Sequence, residues 1–375
     1  MAIYITVFFT SVFFAWVYET RFSPRRVQPV FDAPDLRRTE YRPFSGRDTL
    51  ILSCLVLSVL PIWWITAMRY SVGTDYAIPY VFNFLAANNE GVFCFSEPGM
   101  NGLNLLLGWL GCNYQAVFIT TGTVITVLFP ILIYRQSDTP AYSLMIFFAS
   151  GMFFHSLNNV RQYVAMAIAL VAILDRKHPI RSVLLIVIGG LFHYAAFLYL
   201  PLYLAIQIKL PKKVYRILTV AALAVSPLLT ILAKAVIART KYAYFLNIET
   251  PSVSWLTVLI NLFFFALYFY YYDPEDPVLR GAAVFQFVAA VFTVLSVMIP
   301  NEELWVRTIR LVSCIPMLFC TVAFRREKRA WLRWGLTIGT AVMLGLYTVY
   351  TVVLHGGQGV LPYQYIFGVD TSVMI

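Results

Sequence analysis

The chain has 375 residues, of which 60% are hydrophobic and only 12% charged, with a formal net charge of +10. A soluble domain carries about 25% charged residues, so a soluble fold is excluded. The apolar runs also lack the period-two alternation of a membrane barrel, so they read as transmembrane helices. The surplus of Lys and Arg falls between these runs, where it reports topology rather than nucleic acid.

The first run, about residues 2–18, follows Met1 without a charged leader or a small-residue cleavage site, and reads as an uncleaved span. Arg21, Arg25, Arg26, Arg37, Arg38, Arg42 and Arg47 come next. The positive-inside rule assigns this Arg-rich loop, about residues 19–48, to the cytoplasm and the N-terminus to the outside. A second span at about 50–68 leads to an external segment at about 69–100, and residues 115–134 return to Arg135. The run 141–174, split by Asn158-Asn159, reads as a hairpin that comes back to Arg176, Lys177 and Arg181.

Residues 182–207 are long enough for a single span. One crossing, however, would put Lys209, Lys212, Lys213 and Arg216 outside, and with them Arg325, Arg326, Lys328, Arg329 and Arg333. A short hairpin or re-entrant pair broken near His193 keeps all of them inside, and whether it crosses or re-enters stays open. Spans at 214–236, 255–271, 281–299, 309–324 and 334–354 then alternate, and the tail 355–375 is external. The expectation is an all-α, polytopic integral membrane protein of about twelve segments, including short or re-entrant helical hairpins. It forms one transmembrane helical domain over residues 1–375.

The polar residues that this topology puts outside are the candidate site. Arg161, Arg307 and Arg310 each start an apolar run on the side that the positive-inside rule depletes. Arg binds phosphate through a planar, permanently charged fork, and a lipid-linked pyrophosphate would supply that anion; the alternative is snorkelling to head groups. Asp75, Glu97 and His193 are candidate acid/base groups, because glycosyl transfer needs a base for the attacking hydroxyl. Asp75 also fits a turn or cap, Glu97 a helix-start charge and His193 a packed histidine. Tyr76, Tyr80, Tyr363 and Tyr365 suit stacking on sugar rings or an interfacial aromatic belt. The four His are scattered and there is no Asp-x-Asp pair, so neither metal nor cofactor is expected. Cys54, Cys314 and Cys320 lie in apolar runs, whereas Cys94 and Cys112 could pair in an oxidising compartment.

Several of these residues recur in order as motifs: Arg69 with Gly73-Thr74-Asp75-Tyr76 and Tyr80, Glu97-Pro98-Gly99, Asn159-x-Arg161-Gln162 with Ala165, and Phe192-His193-Tyr194-Ala195-Ala196. Over about residues 69–204, and again at Leu361-Pro362-Tyr363, the chain resembles the EpsG family of Wzy-like polysaccharide polymerases. The resemblance implies a metal-independent glycosyltransferase in the bacterial cytoplasmic (inner) membrane. It would join undecaprenyl-pyrophosphate-linked oligosaccharide repeats into exopolysaccharide, capsule or O-antigen at the external face. Arg161, Arg307 and Arg310 would hold the pyrophosphate, and Asp75, Glu97 or His193 would act as base. Arg69, Tyr76, Tyr80, Asn159, Gln162 and Tyr363 would bind substrate. Membrane lipids and a chain-length regulator protein are candidate partners, and no nucleic acid is expected. The alternative class is a transporter or flippase of the lipid-linked oligosaccharide, which should show repeats and polar midplane residues in both halves. Only Asn261 and Gln286 stand out at such depth. A polymer ligase or acyltransferase is a third reading.

Overall fold

The computed structural model describes residues 1–22, 46–174, 178–240, 243–246, 253–299 and 301–367. Arg25, Arg26, Arg37, Arg38, Arg42, Arg176 and Lys177 lie outside the described residues. Every regular element among those described is helical, in keeping with the all-α expectation. The helices are α1 (Ala2–Arg21), α2 (Gly46–Ala67), α3 (Asn83–Leu85), α4 (Pro98–Trp109), α5 (Gln115–Gln136), α6 (Pro140–Ala149), α7 (Met152–Asn158) and α8 (Val160–Leu174). They continue with α9 (Pro179–Phe192), α10 (Tyr199–Ala205), α11 (Lys212–Ile237), α12 (Trp255–Tyr271), α13 (Pro277–Met298), α14 (Glu302–Leu318), α15 (Thr321–Phe324) and α16 (Ala330–Thr348).

Six helices among the described residues are long and apolar enough to cross a membrane: α1, α2, α5, α11, α13 and α16 with its π-helical extension to Leu354. Helices α6 and α7 would make a seventh as one span, although they are bent by 56° at their break. These spans support a multi-pass protein, but not the count of about twelve. Several expected spans are cut short. The run 309–324 starts earlier, as α14, and stops at Leu318 before α15. The run 141–174 is broken twice, at Gly151 (φ +77°) and at Asn159, rather than only at the Asn pair. Helix α4 was not among the expected spans, although Glu97 fitted a helix-start charge.

The chain divides into two compact units, residues 1–199 with 338–375, and residues 200–337. In the first, α8 is the central helix: Tyr163, Val164, Ala165, Met166, Ala169 and Leu170 are all buried. Helix α9 lies close against it because Gly189 has no side chain; a Cβ there would fall 2.8 Å from the Ala165 carbonyl oxygen. Small residues permit such backbone approach between apolar helices, where lipid offers no hydrophobic drive to associate. The tail folds back on this unit. Tyr70 N–H donates to the Gln364 carbonyl and Ile366 N–H to that of Met68, while the Tyr4 hydroxyl takes the Val360 carbonyl at 2.9 Å.

In the second unit α13 is central, packing against α11, α12 and α14. It starts where an N-cap should be: Asp276 accepts from the N–H groups of Val278 (3.0 Å) and Leu279 (3.1 Å), with Pro277 at the first helical position. Asn301 caps α14 in the same way through Leu304 N–H. Arg326 pairs with Asp276 at 2.7 Å and with Asp273 at 3.2 Å.

Candidate functional site

Three of the expected residues, far apart in sequence, meet in the first unit. Glu97 is the N-cap residue of α4, extended at φ −89°, ψ 120°, with Pro98 starting the helix. Arg161 lies in the first turn of α8. His193 ends α9 in extended conformation (φ −158°, ψ 117°), so its ring is turned off the helix axis at the break expected from the sequence. One Arg161 guanidinium nitrogen (Nη1) donates to Glu97 Oε2 at 2.7 Å. His193 Nδ1 faces the other carboxylate oxygen, Oε1, at 3.4 Å, long for a hydrogen bond but within ion-pair reach. Glu97 thus bridges a cation and an imidazole.

The sequence builds this junction in specific ways. Gly99 lets α4 start against the end of α9: a Cβ would lie 2.8 Å from the Leu191 carbonyl oxygen and 3.2 Å from Phe192 N. The loop ahead of α4 is held by Asn101, which donates to the Phe95 carbonyl, and by the Tyr194 hydroxyl, which donates to that of Ser96 at 2.6 Å. Ser96 Oγ donates to Glu97 Oε2 at 2.9 Å. The Arg161 guanidinium sits 4.5 Å above the Phe95 ring, a cation–π contact that fixes its height. Arg161 N–H donates to the Tyr80 hydroxyl at 3.3 Å.

The Glu97 side chain is only 2% exposed. Burial pushes its carboxyl up. The close His193 imidazole, the Arg161 charge and the Ser96 hydrogen bond outweigh that and hold it down at about 2. The start of α4 adds a favourable dipole. A carboxylate so stabilised is a poor proton acceptor but a strong orienting group.

Asp75 occupies a second, adjoining corner. It is half-buried and precedes the π-helical turn Tyr76–Phe82, which also carries Tyr80. Its N–H donates to Asn158 Oδ1 at 2.8 Å, and the Thr74 hydroxyl donates to the same atom at 3.0 Å. Asn158 Nδ2 donates to Gln358 Oε1 at 2.8 Å. Gly73, at φ +99°, brings this loop against Leu157 and Asn158, where a Cβ would stand 3.0 Å from the Leu157 carbonyl oxygen.

The other expected residues fall elsewhere. Arg69 is 1% exposed; it donates to the Leu157 carbonyl and lies 4.9 Å from the Phe118 ring centre. Burial pushes its guanidinium down to about 10, with nearby tyrosines opposing, so it stays charged at neutral pH. Tyr76 stacks on Phe118 at 4.3 Å and donates to Gln115. Tyr80 is buried beside the same ring. Neither offers an open ring face for a sugar, because the fold has used it. Tyr363 is half-buried and donates to the Ile65 carbonyl. Asn159 forms the α7–α8 break and Gln162 is buried in the first turn of α8. Arg307, exposed, and Arg310, half-exposed, share a face of α14 in the second unit.

Sequence reasoning passed over Phe95, Ser96 and Gln358, and named Asn158 and Tyr194 only as parts of their motifs. Of the three passed over, Gln358 alone carried a visible signal, as the one polar side chain in Gly356-Gly357-Gln358-Gly359. Cys94 and Cys112 are free and exposed. Among the described residues no group of three or more His, Cys, Asp or Glu is placed to hold a metal ion.

No curated protein and no solved structure matches the chain. A family model described as the EpsG family matches residues 52–365. That stretch holds every motif of the junction and most of the chain, so the chain belongs to the EpsG family.

Proposed function

We propose that the protein is a polysaccharide polymerase. It transfers a growing glycan from undecaprenyl pyrophosphate to the non-reducing end of a new lipid-linked repeat, at the external face of the bacterial inner membrane. Family membership and the run of apolar helices support the polymerase class. The observation that carries the chemistry is the Glu97 bridge between Arg161 and His193.

With Nδ1–H directed at the Glu97 carboxylate, His193 has its Nε2 lone pair for the acceptor hydroxyl. The hydroxyl oxygen attacks the anomeric carbon of the donor glycan as its proton passes to Nε2. The new C–O bond forms, the bond from that carbon to the phosphate oxygen breaks, and the lipid pyrophosphate leaves with the electron pair. Arg161 donates to Glu97 and its side chain also meets the Tyr80 hydroxyl, and the outward part of its five-donor guanidinium would serve the leaving phosphate. Arg307 and Arg310, on α14 in the second unit, are proposed separately as pyrophosphate-binding residues. Asp75 is the competing base, and the low proton affinity of Glu97 makes it the orienting group. No step calls on a metal or cofactor. The expected partners are the lipid-linked oligosaccharide, membrane lipids and a chain-length regulator.

Deletion in the native host, followed by sizing of the surface glycan, tests the class. A polymerase leaves a single repeat on the surface and no long chains. Retention of the whole repeat inside the cell would mean a flippase.

A further inference from the structure

We infer that Gln358 is a positioning residue of this site, acting through Asn158 on Asp75 and on the start of the helix that carries Arg161. The inference rests on the polymerase reading for its catalytic consequence, though not for its geometry.

The backbone around Gln358 demands glycine. Gly356 and Gly359 lie at φ +62° and +59°, and a Cβ on Gly357 would fall 2.4 Å from the Thr351 carbonyl oxygen. Gln358 itself sits at φ +69°, where a residue with a Cβ is disfavoured. Ser71 is the only other non-glycine residue at positive φ among those described, and it lies in the loop between Arg69 and Asp75. A glutamine kept where glycine is easier points to its side chain.

That side chain closes a directional network. A backbone N–H can only donate, so the Asp75 N–H fixes Asn158 with Oδ1 toward the loop. Nδ2 of Asn158 is then turned to Gln358, which must present its oxygen, as it does at 2.8 Å. The tail backbone grips the same loop: Thr74 N–H donates to the Gln358 carbonyl at 3.1 Å and Gly73 N–H to that of Gly359 at 2.9 Å. Asn158 is the last residue of α7, and Arg161 follows three residues on, across the break at Asn159. Gln358 therefore holds the corner that aims Arg161 at Glu97 and sets Asp75 beside it.

The test compares Gln358→Gly, which relieves the backbone and deletes the acceptor, with Gln358→Glu, which keeps an acceptor. Each purified variant is assayed for elongation of a lipid-linked repeat, melting temperature and amide hydrogen exchange. Gln358→Gly should melt at or above the native temperature. It should exchange faster at residues 70–80 and 155–165 alone, and lose roughly tenfold or more in kcat with KM little changed. Gln358→Glu should recover most of the rate. Native exchange at those two segments overturns the inference whether or not the protein polymerises, so failure of the polymerase reading is scored separately. A rate loss in Gln358→Gly that merely follows a lower melting temperature, or an equal loss in Gln358→Glu, also overturns it.

Discussion

Glu97 is the residue on which the site turns, and its ionisation gives a signed prediction. Its folded carboxyl sits at about 2, below the ordinary 4.5. A depressed carboxylate contributes stability above the unfolded value, and that contribution is lost as pH falls from about 4.5 toward about 2. Glu97→Gln should therefore lower stability by on the order of 2 kcal/mol at pH 7 and by almost nothing near pH 2. Melting in detergent at both pH values checks this, and an equal loss at both would contradict the ion-pair account. Arg161→Lys keeps charge but loses the fork that serves Glu97 and phosphate together. Polymer should be lost in that variant at matched protein level; near-normal polymer would reduce Arg161 to a lipid anchor. Glu97, Arg161 and His193 were each legible in the sequence as polar residues at apolar breaks. Their pairing was not, because contacts across 64 and 96 positions depend on helix packing that no local pattern reports. Arg69, Tyr76 and Tyr80 show the converse. Their motif was legible, but only packing shows that Leu157 and Phe118 occupy their polar and aromatic surfaces.

At the scale of elements, the site is an arrangement of helix ends. Glu97 begins α4, Arg161 begins α8 and His193 ends α9. Gly99 is the hinge of this arrangement, since α4 reaches the end of α9 only without a Cβ there. Gly99→Ala should push the two helices apart, cost about 1–3 kcal/mol by overpacking and lower turnover through the lost Glu97–His193 contact. Native turnover in a fully folded Gly99→Ala protein would show that this close approach has no catalytic consequence. The break at His193 was readable from charge parity alone, because a single span would have inverted every later basic loop. Helix α4 was readable only at its start, where Glu97 fitted a helix-start charge; its extent was not, because it is short and follows a segment that looked like loop. The π-helical turns at Tyr76–Phe82 and Ala86–Glu90 escaped for the same reason.

At the scale of the whole molecule, composition made the multi-pass helical class plain. Segment number was harder, since broken helices such as α6–α7 do not announce whether they cross. The orientation that puts the site outside follows from the positive-inside rule and is open to direct labelling. Cys94 and Cys112 are exposed while Cys54, Cys314 and Cys320 are buried. A membrane-impermeant thiol reagent should therefore label the native protein in intact cells. With Cys94 and Cys112 replaced by Ser, labelling should return with His355→Cys but not with Lys328→Cys until the membrane is opened. The opposite sense would invert the orientation and take the site with it.

The central claim is that the Glu97-held His193, with Arg161, performs glycosyl transfer between lipid-linked repeats. Its most direct test is elongation of purified lipid-linked repeat by the native protein, His193→Ala and Asp75→Asn, each corrected for folded fraction. Removing a general base costs roughly a hundredfold or more. The account predicts that the native protein makes long chains, that His193→Ala loses at least that much, and that Asp75→Asn loses less. Full turnover by folded His193→Ala would contradict it.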